Sequence, residues 1–281
     1  MSYTTATLLE NIAKRAAIPT SQGTFSDAEI LEIATEAIET EVLPKILQAR
    51  QEFYVKAQTF TSTKESGDLY SWIRIPARAV GQAVIGLYDV STDEPIDQEL
   101  YWVEGNKIII DSAVGSYRLR YYLRPNSLVE TTYAAQILTI NRTSGIITVT
   151  AAPSGITTGT VIDFIKATPG FDTLGLDVTI SLVSGTSYTF AITDIPSELA
   201  VGDYIAITGE TPVPQIPAEW YTYLAQWATV ELLESLGDLE AAAVASKRLP
   251  RIEKNALSLI SPRIEKKSKA IVKQSISRWW R

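Results

Sequence analysis

The side chains able to move protons, attack substrates or bind metals are the first to weigh, and two kinds are absent. Among 281 residues there is no histidine and no cysteine. Thiolate nucleophiles, disulfides, Cys/His zinc sites and every Ser–His or Cys–His catalytic pair are therefore excluded. Proton transfer near neutral pH would fall to carboxylates, Lys or Tyr. The acids that invite such a role are Asp163, Asp172, Asp177, Asp203 and Glu210, all in a strand-rich stretch. Two carboxylates suffice for glycoside hydrolysis, and several hold calcium, but the spacing here matches no calcium loop and sets no two acids together. No glycine-rich phosphate loop exists either. The expectation is that these are solvated strand-end acids, with no catalytic residue, no cofactor and no metal.

A second set of residues points to docking. The sequence closes on Arg278, Trp279, Trp280 and Arg281, behind the lysines Lys266, Lys267, Lys269 and Lys273. Adjacent tryptophans at a chain end suit an anchor, with indole in a pocket and guanidinium at its rim, while the lysines steer toward an acidic partner. Phosphate contact with DNA and insertion of an Arg/Trp end into a membrane surface are the competing roles. From Lys247 to Arg281 there are eleven basic and two acidic residues, a balance of +9; residues 1–246 hold fourteen basic and thirty acidic, a balance of −16, and the two sum to −7. A basic tail thus follows an acidic body. A third set, Trp220, Tyr221, Tyr223 and Trp227, lies at helical spacing. Such aromatics fill a core more often than they stack on a ligand, and Trp220, Tyr223 and Trp227 would equally serve a subunit interface.

Residues 5–17 carry Leu8, Leu9, Ile12 and Ala16 at helical spacing, and Ser26 with Glu29 forms a capping box for the next helix. Pro44 falls inside that helix and predicts a kink or division. From about residue 59 the period changes to two, with strands expected at 70–75, 83–88, 100–103, 107–110 and 117–122 and a hairpin turn at Glu104-Gly105-Asn106. Further strands are expected at 136–141, 145–150, 161–165, 178–183, 187–192 and 203–207. Helix returns over 218–236 and stops at Gly237. A last helix starts at Asp238, with Ala242, Ala245, Leu249, Ile252, Ala256 and Leu259 as a seam that Pro250 kinks.

The fold class expected is α+β, a helical bundle from both ends of the sequence with a large β-rich insertion, a small barrel or sandwich. The boundaries are 1–58 for the N-terminal helices, 59–211 for the β region (in one part, or two split near 130), 212–262 for the C-terminal helices and 263–281 for an extended basic tail. With 46% hydrophobic residues the chain can bury such a core, and no run approaches the roughly 20 apolar residues of a membrane span. The start Met1-Ser2-Tyr3-Thr4-Thr5 lacks signal-peptide features, so a cytosolic, soluble protein is expected.

Several stretches together resemble another group of proteins: Ser26-Asp27-Ala28-Glu29-Ile30-Leu31 and Ala49-Arg50-Gln51-Glu52-Phe53-Tyr54, then Ile75-Pro76-Ala77-Arg78-Ala79, Tyr121-Tyr122-Leu123-Arg124-Pro125, Val201-Gly202-Asp203-Tyr204, Gln215-Ile216-Pro217, and the helix from Leu224 to Leu236-Gly237-Asp238. In this order they resemble tailed-bacteriophage neck proteins, the head-to-tail adaptors also called connector or head-completion proteins. The resemblance implies a homo-oligomeric ring, commonly a dodecamer, in the virion neck and assembled in the host cytoplasm. It implies a portal protein as partner, a downstream tail or nozzle protein on the other side, and double-stranded DNA passing without sequence-specific binding, with no membrane involved. In short-tailed phages such adaptors clasp the portal with extended C-terminal ends; the large β insertion departs from that pattern. The alternative function is a glycan- or host-surface-binding module in which the β region holds the sugar and the helices only oligomerise.

Overall fold

A computed structural model of the chain describes residues 3–17, 24–168 and 173–260. It is mixed α+β, with several helices and a large antiparallel sheet. The first helix, α1 (Thr5–Ala16), buries Thr5, Leu8 and Ile12 along one stripe and ends at Ala17 in a left-handed conformation. The capping box is present at α2 (Asp27–Ala37): Glu29 N–H donates to the Ser26 hydroxyl at 3.3 Å, and Ser26 N–H to the Glu29 carboxylate at 2.7 Å. Pro44 produces neither a sharp break nor a simple kink. It has no N–H to offer the carbonyl four residues back, and the preceding turn widens into a π-helical segment, Ile38–Val42, in which Leu43 N–H reaches Ile38 O. A fresh helix, α3 (Leu43–Ala49), follows with Pro44 in its first turn, where a missing donor costs nothing.

The β region begins earlier than the period change suggests, at β1 (Val55–Thr61). Next come β2 (Ser71–Arg74), β3 (Ala79–Asp89), β4 (Tyr101–Glu104), β5 (Lys107–Ile110) and β6 (Ser116–Leu123). They form two three-stranded sheets, β1-β6-β3 and β2-β5-β4, the second containing the expected hairpin, in which Glu104 pairs with Lys107 across Gly105 and Asn106. Alternate residues Tyr117, Leu119, Tyr121 and Leu123 of β6 point inward with Ile73, Leu87, Ile108 and Ile110, so the two sheets share one core. A short strand, β7 (Ser127–Leu128), leads out of this unit.

The second unit contains β8 (Ala135–Asn141), β9 (Ile146–Val149), β10 (Val161–Ile165), β11 (Thr173–Thr179), β12 (Leu182–Ser184), β13 (Ser187–Thr189) and β14 (Tyr204–Ile207). They make a seven-stranded sheet in the order β11-β10-β14-β8-β9-β13-β12. Its end strands are joined by only Ile180 and Ser181, which span at most about 10 Å between strand ends. The sheet packs around a core of Ile137, Ile147, Ile162, Phe164, Tyr188 and Ile205. The strand expected over 178–183 is in fact this corner, split between β11 and β12.

After β15 (Glu210–Thr211), which pairs in parallel with β7, the chain returns to helix. Helix α4 (Tyr221–Ser235) is buried on almost every side and lies against α1 and α2. Gly237, at φ +79°, ends it, and Asp238 caps α5 (Leu239–Ser246) by accepting from Ala241 N–H at 3.0 Å. The expected single kinked helix is instead two, α5 and α6 (Leu249–Ile260), because Pro250 is accommodated in a new first turn. That break rephases the seam: Ala242 and Ala256 are buried, but Leu259 is 60% exposed and Ile260 takes the inward position. Helices before and after the β region share one core, from Leu8, Leu31 and Ile46 to Trp220, Leu224 and Ile260. Among the described residues no helix is long and apolar enough to cross a membrane.

Gly145, in the β8–β9 turn, has φ +71°, and a Cβ there would lie 2.4 Å from the Phe190 carbonyl oxygen. Gly145→Ala is expected to destabilise the fold by about 2–3 kcal/mol through strain and backbone displacement. A urea titration reads it, and an unchanged midpoint would count against this turn geometry.

Candidate functional site

Of the residues singled out for docking, Lys266, Lys267, Lys269, Lys273, Arg278, Trp279, Trp280 and Arg281 lie outside the described residues, as does Asp172. The aromatic set is placed within the helical core. Trp220 is fully buried and stands edge-on to Tyr223 at 5.1 Å, and Tyr221 stacks on Tyr3 at 4.1 Å. Trp220 and Tyr223 are both buried within this chain, the placement that a core role calls for. Trp227 is only half-buried. Tyr223 also helps to hold a charge. Lys45 of α3 donates to its hydroxyl at 2.7 Å and to Glu253 of α6 at 3.0 Å, with Glu41 at 3.1 Å. Burial works against the Lys45 charge, yet these three partners outweigh it and hold the ammonium well above its ordinary range. Gln226, also buried, accepts from Arg15 at 2.7 Å and donates to Ala245 O at 3.1 Å, tying α4 to α1 and α5.

The acids of the β region are not all solvated. Asp163 is wholly buried in the apolar run Val161-Ile162-Asp163-Phe164-Ile165. Arg78 Nη1 donates to its Oδ2 at 2.8 Å, Asn126 Nδ2 at 2.9 Å and Gly209 N–H at 3.1 Å, while Asp177 N–H donates to Oδ1 at 3.1 Å. These donors come from both β units and the segments between them. Arg78 Nη2 also donates to Asn126 Oδ1, and Asn126 N–H donates to Gln215 Oε1 at 2.8 Å. Tyr54, at the end of the N-terminal helices, donates its hydroxyl to Gln215 O. Asp203 is buried as well and accepts from Ala167 N–H at 2.9 Å and Ala200 N–H at 2.8 Å. Glu210 is partly buried, which pushes its carboxyl upward. With four donors on its two oxygens, the Asp163 carboxylate is suited to holding strands together. The legible signal is an acid inside a five-residue apolar strand.

Above this junction opens a cleft of about 800 Å³, lined by residues of four strands. Gln58 and Phe60 of β1, Trp72 and Arg74 of β2, Tyr121 of β6 and Asp177 of β11 form its walls. Tyr121 donates to Gln58 Oε1 at 2.9 Å. Burial pushes the Tyr121 hydroxyl up to about 12, with Arg78 pulling it back and Asp177 adding to the rise. Asp177 is an exposed, non-glycine residue at φ +55°, beside the register shift between β10 and β11. Lys107 Nζ sits 3.9 Å over the Trp72 ring and fixes the indole. Among the described residues no group of three or more Asp or Glu side chains is placed to hold a metal ion.

Trp220→Ala should lower the unfolding free energy by about 3–5 kcal/mol, the cost of emptying a large core site. Unchanged stability with an altered oligomeric state would return Trp220 to an interface. Asp163→Ala should cost about 3–5 kcal/mol, because it strands a partly buried guanidinium. In a double-mutant cycle with Arg78→Met the losses should be clearly less than additive, and additive losses would show that the two residues do not act together. No protein-family model and no curated protein matches this chain.

Proposed function

We propose that the chain is a structural adaptor of the phage neck type, a ring-forming protein that joins a portal to a tail and has no catalytic role. The observation that carries this is the polarity of the chain: a body of −16 over residues 1–246, then +9 over 247–281, ending on Arg278, Trp279, Trp280 and Arg281. A basic, tryptophan-tipped end is built to steer to and anchor on an acidic partner surface. In this reading the helices form a bundle, the β region is a barrel-like insertion facing tail components, and the final residues clasp the portal. The exposed surface supports it too. Burial raises the Glu231 carboxyl, and Glu234, Glu36 and Glu41 add to the rise, so acidic side chains gather on this face. Such a field lets DNA slide past without adhering. Closed rings use heterologous contacts, and copies of this chain would be arranged in that way.

The test is native mass measurement of the full chain, alone and with its portal. A ring-sized complex is expected with the intact chain and none after removal of residues 278–281, with an unchanged thermal melt. A truncated protein that still joins the portal at normal occupancy would refute tail docking.

A further inference from the structure

The cleft above the Arg78–Asp163 junction has groups that the fold does not use. Arg74 is exposed and its guanidinium makes no ion pair or hydrogen bond among the described residues, and the Asp177 carboxylate likewise accepts none there. Thr208, on the same wall, carries a buried hydroxyl with no hydrogen-bond partner. Gln58 spends its carbonyl on Tyr121, which leaves its two amide hydrogens as donors. Phe60 and Trp72 supply planar apolar surface between these groups. The backbone of Asp177 is held in a left-handed conformation that non-glycine residues seldom adopt, and strain of that sort persists where a side chain must be aimed.

We infer that this cleft is a binding site for a neutral oligosaccharide of two or three rings. The ligand that uses a guanidinium, a carboxylate, an amide and a hydroxyl at once must present donors and acceptors side by side, as a row of sugar hydroxyls does. The C–H faces of pyranose rings match the aromatic walls. Arg74 and Asp177 line the cleft without ion-pair partners among the described residues, so a hydroxyl-rich ligand can donate to one and accept from the other. A volume of about 800 Å³ exceeds what a single sugar or amino acid fills and lies within the range of sites that enclose ligands of this size. The walls come from four strands above the buried network, so the site is formed before ligand arrives, which limits the entropy lost on binding.

Sugar binding and ring assembly are separable properties, and either can fail alone. The experiment titrates the full chain with maltotriose, cellotriose and chitotriose, reading saturation-transfer NMR and tryptophan fluorescence. At least one trisaccharide should bind saturably, and Arg74→Ala and Asp177→Asn should each weaken it about tenfold with an unchanged melting temperature. Asn tolerates the left-handed backbone at position 177; if that variant nonetheless melts early, Arg74→Ala on an exposed side chain decides the matter. Absence of saturable binding by all three sugars at about 10 mM overturns the inference. So does binding that neither variant weakens, or equal competition by a zwitterionic dipeptide, which would assign Arg74 and Asp177 to chain termini instead.

Discussion

The Asp163 carboxylate is the point on which the rest of this structure hangs. A buried charge is tolerable only when its partners are complete, and here the partners are drawn from separate parts of the chain: Arg78 from the first β unit, Asn126 from the segment leaving it, Asp177 and Gly209 from the second. The cost of leaving any acceptor position empty is high in a low-dielectric interior, so the units are locked in one arrangement rather than merely pressed together. Hydrophobic contact between sheets is tolerant of sliding; a carboxylate with four directed donors is not. The same network extends through Asn126 and Gln215 to Tyr54, so the helices are indexed against the strands by hydrogen bonds as well as by packing.

The helical core repeats that logic with different residues. Its bulk comes from Leu, Ile, Ala and the inward aromatics, but its register is set by a few polar side chains that each reach two or three partners. Lys45 fastens α3 to α4 and α6, and Gln226 fastens α4 to α1 and α5. Thr35 of α2 accepts from Leu128 N–H at 2.9 Å, joining helix to strand β7. A helix as uniformly apolar as α4 has no stripe to orient it, so these contacts choose its rotation.

Much of this is legible in the sequence, and what is not has physical reasons. Local rules find the Ser26–Glu29 cap, the Gly105 hairpin and the Gly237 stop because each depends on residues within one turn. They locate Pro44 and Pro250 but not their effects, since whether a helix kinks, widens or restarts depends on what packs around it. The β7–β15 pair escapes them because two residues joined in parallel across 83 positions carry no period. Asp163 is misread as a solvated acid for a similar reason: its partners are 14 to 85 positions away, and nothing adjacent marks them. Arg78 is visible only as part of Ile75-Pro76-Ala77-Arg78-Ala79, and the cleft, built from strand edges far apart in sequence, is not visible at all.

The shared helical core has a consequence for the order of events during synthesis. Thr5 N–H pairs with Pro212 O, and α1 and α2 pack on α4, so the earliest helices have no core until the chain has been made through about residue 235. The strands between them find their partners within their own stretch and can collapse first as the ribosome delivers them. Helices α1 to α3 are therefore translated before the β region and buried only after it. Throughout that interval Leu8, Leu31 and Ile46 lack the α4 residues that cover them in the finished fold.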